Sequence, residues 1–295
     1  MPLRPLLVAV LALVAGCNLG APSSSSSEMH LEGVPEAEPE MTPEQARGTL
    51  LDRGYPLAPG SMTVAAGTGD AEAVALYLAA GADPNSGSGY SGPLVRAVES
   101  GSAETVAVLL SAGADPYVDD GEVAVRAVRA GDPAVLAAVV GEQGWAAGRA
   151  LVEAAKCGSP EMVSLLLAAG ADPANSTNAD GLTPLGAVAM GGCGASRVDA
   201  PRYEVVQLLV AAGADPNGPM ASGDRPLHVA AFNDVPAVVL PLIAAGADPN
   251  LPVRGGRATP LDRARSGMRS TGTSARLIRD NGGVESDRSG ARYGY

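Results

Sequence analysis

The chain has 295 residues, a formal net charge of -12, 3% aromatic residues and 46% hydrophobic ones. The acidic balance argues against nucleic acid as a partner, because phosphate binding needs an excess of Lys and Arg, and the single lysine is Lys156. With so few aromatics, helix packing must rest on Ala, Val and Leu.

From Met1 the chain carries one positive charge, Arg4, then an apolar run from Pro5 to Val14, then Ala15, Gly16 and Cys17. That run falls short of the about 20 apolar residues needed to span a bilayer. Its length and small-residue ending are those of a secretory signal, and a globular helix would not open with Pro2 and Pro5. Residues 17–41 hold Ser23 to Ser27, then Glu and Pro, which reads as a disordered tether.

Thr42, Pro43, Glu44 and Gln45 predict a helix start with a capping box, running to Leu51 and stopping at Gly54. From there one stretch keeps returning: GADPN at Gly81 to Asn85, then near-copies opening at Gly113, Gly170, Gly213 and Gly246. Each follows an apolar, alanine-rich run, so Gly is read as the helix stop that takes the left-handed conformation. Asp forms the turn, Pro prevents the helix from continuing, and Asn is expected to tolerate a positive φ. A break glycine precedes three of these stops at the same interval, Gly69 before Gly81, Gly101 before Gly113 and Gly158 before Gly170. This predicts a stacked-repeat solenoid.

The letters carry a resemblance. Gly181, Leu182, Thr183, Pro184, Leu185 with Glu204 to Leu209, then Pro226, Leu227, His228, Ala230 and Ala231, and finally Thr259 to Asp262, resemble the ankyrin repeat. The resemblance covers about residues 42–283 and implies an all-α solenoid of about seven stacked helix-turn-helix repeats, including caps, with short β-hairpin fingers. The last repeat is expected to end at Gly282 and Gly283, leaving 284–295 as a disordered tail. Residues 121–144 lack the TPLH letters, the finger near Trp145 to Gly148 reads as cut to a tight turn, and residues between Gly192 and Tyr203 read as an insertion. Pro241 falls inside a second helix, where it is expected to bend it at a cost of about 3 kcal/mol.

Val14 to Cys17 likewise resembles the lipobox of bacterial lipoproteins. This implies that residues 1–16 are cleaved, that Cys17 is lipidated, and that the lipid is the membrane attachment. Asn18 after the Cys leans towards the outer membrane facing the periplasm, and three acyl chains would exceed the two signals needed for stable anchoring.

Of the three cysteines, Cys157 and Cys193 remain. They are read either as a disulfide, requiring the insertion to fold back because equivalent positions in adjacent repeats exceed the about 7 Å a disulfide allows, or as two independent thiols. His228 is expected to fix its turn by hydrogen bonds. With no metal-ligand spacing, phosphate loop or serine elbow, no catalytic residue, cofactor or metal is assigned, and a hydrolase using Cys157 or Cys193 is the distant alternative.

The ankyrin resemblance implies a protein partner bound by the face of the first helices and by the finger tips, with the chain itself monomeric. Carried over position by position, the groove residues are Arg96, Glu99, Arg126, Arg129, Glu153, Lys156, Met190, Val229, Phe232 and Asn233. The finger-tip residues are Tyr90, Asp180, Met220, Asp224 and Arg257. Phe232, the only Phe, reads as an exposed anchor. The alternative for the charges is a solvated face pairing with Glu99 and Glu153. A scaffold is the first functional reading, an immunity or inhibitor protein against a secreted effector or envelope enzyme the second.

Overall fold

The computed structural model describes residues 41–87, 91–140, 147–192, 200–267 and 272–286, and the signal, tether, Tyr90, Trp145 and Cys193 lie outside them. No helix among the described residues is long and apolar enough to cross a membrane. The chain divides into two compact units, residues 1–119 and 120–295.

In the first unit α1 (Pro43–Asp52) opens with the predicted box: Gln45 N donates to Thr42 Oγ1 at 3.3 Å and Thr42 N to Gln45 Oε1 at 2.8 Å. Two helix pairs follow, α2 (Ser61–Gly67) with α3 (Ala71–Ala79) and α4 (Pro93–Ser100) with α5 (Ala103–Ser111). First helices pack on first helices, α2 on α4, and second on second, α1 on α3 and α3 on α5. Leu50, Leu76 and Leu109 are fully buried between them, and burying one such side chain contributes about 1.5–3 kcal/mol.

The second unit continues the pattern with α6 (Val118–Ala130), α7 (Pro133–Val140), α8 (Ala147–Cys157), α9 (Pro160–Ala168), α10 (Pro184–Met190), α11 (Ala200–Ala211), α12 (Pro226–Phe232), α13 (Pro236–Ala244), α14 (Pro260–Ser266) and α15 (Thr273–Asp280). First helices α8, α10, α12 and α14 pack in succession, as do second helices α7, α9, α11, α13 and α15. Small residues allow the close approach: Ala150, Ala154, Ala187 and Ala230 are fully buried beside Leu151, Leu185 and Leu227.

The five repeat glycines end their helices with φ between 86° and 101°. Each is followed by an Ala whose N–H reaches back five residues, as Ala214 N does to Leu209 O at 2.9 Å, which closes the helix end. Each Asp accepts the N–H two residues on, as Asp215 does from Asn217. Asn behaves differently from the expectation: among the described residues Asp234 alone of the non-glycines has a positive φ. The Asn amide instead bridges to the next repeat. Asn217 donates to Gly246 O at 2.8 Å and accepts from Asp248 N at 2.9 Å, and Asn250 does the same with Gly282 O and Val284 N.

The fingers form no strand among the described residues, since each closes with too few hydrogen bonds for a ladder. Met220 N donates to Asp224 O, and Val253 N to Ala258 O. Successive fingers are joined by single backbone bonds, Ala221 N to Gly181 O and Arg254 N to Gly223 O. Past Gly283, Val284 O accepts from Thr259 Oγ1 and Ser286 N donates to Asp262 Oδ2, so residues 284–286 belong to the stack rather than to a tail. Pro241 lies buried within α13, which runs on to Ala244 without interruption. The site loses one backbone bond, and nothing in the structure explains why proline stands there.

Candidate protein-interaction face

The last turn of each first helix carries a side chain that the stack does not bury, because that turn faces away from both neighbouring layers. In the first compact unit this surface holds Val64, 69% exposed, with Arg96 and Glu99, which pair with each other at 3.0 Å. In the second unit the corresponding row is Arg129 on α6, Lys156 on α8, Met190 on α10 and Phe232 on α12.

The first half of that row is charged. Arg129 Nε donates to Glu153 Oε1 at 3.0 Å and its guanidinium lies 3.4 Å from Glu122. Lys156 Nζ stands 3.9 Å from the other oxygen of Glu153, and Arg126 and Arg149 stand 3.9 and 3.4 Å from Glu122. Glu153 is therefore not an outward-facing residue as expected. It is buried, because cations on two helices close over it. Sequence reasoning had no signal for Glu122 and Arg149, which lack the repeat letters.

The second half is apolar. Met190 is 44% exposed, while Val229 and Phe232 are half-buried. Phe232 is thus less open than the exposed anchor expected: Gly267, just past α14, packs directly against its backbone, leaving no room for a Cβ at Gly267. Asn233 turns its amide back to Val229 O, 3.0 Å away, and serves the end of α12. Asp234, next to it, occupies the left-handed position of the break glycine at φ 50° and accepts Ser274 N at 2.8 Å.

Among finger residues Asp180 and Arg257 are exposed, as expected of tips. Met220 is not: it is buried over Gly186, where a Cβ would collide with its sulfur. Gly186 holds the place that His228 holds one repeat later, so the Met220 thioether fills the space of the missing imidazole. Asp224 is half-buried and paired with Arg263 at 2.9 Å.

His228 is buried. Its Nδ1 accepts Arg225 N at 3.3 Å, which fixes the tautomer, and Nε2–H donates to Ala258 O at 3.1 Å in the next finger. Burial lowers its pKa, outweighing the raising effect of the Ala258 carbonyl. Asp262 takes the same position in the last repeat. Burial alone would raise its pKa, but bonds from Thr259 and Ser286 bring it down to about 2. Both groups are structural, tying a helix start to the following segment.

Cys157, at the end of α8, is disulfide-bonded. Close by, the buried Arg202 of α11 donates to Val188 O at 2.8 Å and lies against Gly158 and Gly191. No group of residues able to hold a metal occurs among those described.

A stack of helix pairs joined through its fingers is the ankyrin-repeat fold, a scaffold for protein–protein interaction. Residues 151–253 match the family model for ankyrin repeats (3 copies). The chain is similar to the ankyrin repeat domain of Bcl-3, a member of the IkappaB protein family, at 26% identity over 75% of this chain and 98% of that one, with a TM-score of 0.57. It is also similar to an ankyrin repeat domain from Acinetobacter baumannii at 25% identity, covering 65% and 100%, TM-score 0.53. The human ASB11 ankyrin repeat domain, at 21% identity over 76% and 99% with a TM-score of 0.60, shares the fold. No curated protein matches the chain.

Proposed function

We propose that this chain is a lipid-anchored envelope protein whose ankyrin-repeat stack binds a partner protein through the first-helix face of residues 120–295. The observation that carries the reading is the row Arg129, Lys156, Met190 and Phe232, which sets two partly exposed cations and then two apolar side chains on successive first helices. Asp180 and Arg257 stand exposed at the fingers, the other surface the reading uses. The anchor rests on Arg4, the apolar run, the small residues and Cys17 falling in order. The Cys157 disulfide suits an oxidising compartment outside the cytosol, and Cys193, at the root of the insertion, is its proposed partner.

A photo-crosslinking residue at Met190 of the full chain tests the face, with Leu240 on the second-helix side, 46% exposed, as the control position. Capture of one defined protein from Met190 and not from Leu240 is the expected result. Capture from Leu240 alone overturns the assignment. Incorporation of an alkyne fatty acid that is lost in Cys17→Ser is the expected sign of the anchor. Maleimide labelling of the unreduced protein should find neither Cys157 nor Cys193 free, and two free thiols would end that pairing.

A further inference from the structure

We infer that the first-helix face of residues 120–295 takes an extended segment of its partner in which an acidic side chain and an apolar side chain are separated by a few residues. The inference rests on the proposed binding face and assigns its partner chemistry.

Glu153 lies beneath two cations and orients both, with Arg129 on one carboxylate oxygen and Lys156 on the other. The Arg129 side chain remains 55% exposed and that of Lys156 33% exposed, against 11% for Glu153. At 3.9 Å the ammonium is beyond hydrogen-bond distance of Glu153, and its side chain is partly exposed to solvent. An arriving carboxylate would meet a guanidinium and an ammonium held side by side over a fixed counter-charge. That is a preorganised, charge-assisted site for one carboxylate.

The row then turns apolar. Met190 and Phe232 stand in the last turns of the next two first helices, and an adaptable thioether beside an aromatic ring suits an aliphatic or aromatic anchor. Packed helices lie about 8–10 Å apart. The acid and the anchor are therefore about 10–20 Å apart, or about three to six residues of extended chain. A polynucleotide also offers anions, but the net charge of -12 opposes it, whereas a short acidic segment needs only the local pair.

The test is selection of a randomised peptide library of about twelve residues on the full chain, long enough to span the row at about 3.3 Å per residue. Binders are counted as face-directed when Met190→Asp abolishes them. The expected face-directed peptides carry Asp or Glu about three to six residues from Leu, Met or Phe. They should weaken about tenfold on Arg129→Gln/Lys156→Gln, the loss of two charge-assisted contacts. Peptides with that acid changed to Lys should be restored on Arg129→Glu/Lys156→Glu. Lys156→Gln alone breaks no hydrogen bond of the stack and keeps the test valid if the double variants misfold. Face-directed peptides with no acidic residue at that spacing overturn the carboxylate assignment while leaving the binding face intact. Binders that are all indifferent to Met190→Asp overturn both.

Discussion

Between α6 and α8 the first helices are joined across the repeat boundary by side-chain charge, Glu122 with Arg149 and Glu153 with Arg129. From α10 onward the same boundary is crossed by the backbone of the fingers and by side chains bonded to it. Ala221 meets Gly181, Arg254 meets Gly223, His228 reaches Ala258, and Asn217 and Asn250 bridge to the following stops. The difference follows from the fingers. Where the finger letters are absent the chain has no imidazole at the His228 position, and long charged side chains cross between the helices. Charge is screened by salt and reorients readily, whereas bonds to the backbone are directional.

The largest effect is expected from His228→Ala. It leaves Arg225 N and Ala258 O without their partner in a buried site and opens a cavity, costing about 2–4 kcal/mol in urea unfolding. Hydrogen exchange should speed up in residues 225–258 and not around α6 to α8, and uniform loosening would mean the two regions are not held independently. Asn217→Ala removes two interrepeat bonds on a half-buried side chain and should cost about 1–2 kcal/mol.

A pH series separates the regions further. His228 has a folded pKa below its ordinary value of 6.5, so the unfolded chain takes up the proton first. Its contribution is fully present above pH 6.5 and is lost as pH falls through the folded value. Asp262, at about 2 against 3.8, contributes above pH 3.8 and loses that contribution as pH falls towards 2. Protection of residues 225–286 should therefore begin to drop as pH falls below 6.5.

Ala174→Asn supplies the bridge that this repeat lacks, towards the Gly213 stop, and should stabilise by about 0.5–1 kcal/mol. The smallest effect is expected from Glu122→Gln, about 0–1 kcal/mol and vanishing at high salt, because its cations are partly exposed. A salt-independent cost of the size expected for His228→Ala would show that the charged boundary is as directional as the fingers.

Fold class, repeat stops, the first capping box and the structural role of His228 were legible in the letters, because each is dictated within a few residues of chain. The charged row was legible only as a set of positions. Glu153 and Met220 pass for surface residues in sequence and are buried, one by cations from two helices, the other by the absence of a side chain at Gly186. Arg202, Arg225 and Asp234 gave no signal at all. Arg225 donates to Pro252 O in the following finger, and Asp234 to Ser274 spans an even longer stretch of chain.

By itself the sequence determined where helices stop and that they must stack, since a left-handed glycine, an Asp turn and a proline act locally whatever lies beyond them. Tertiary structure decided what the repeat Asn is for, how residues 284–286 finish the stack, and which charges on the first-helix face are spent on neighbours and which stand towards solvent. Those outcomes depend on the distance between side chains a whole repeat apart, and that distance is set only when the helices pack.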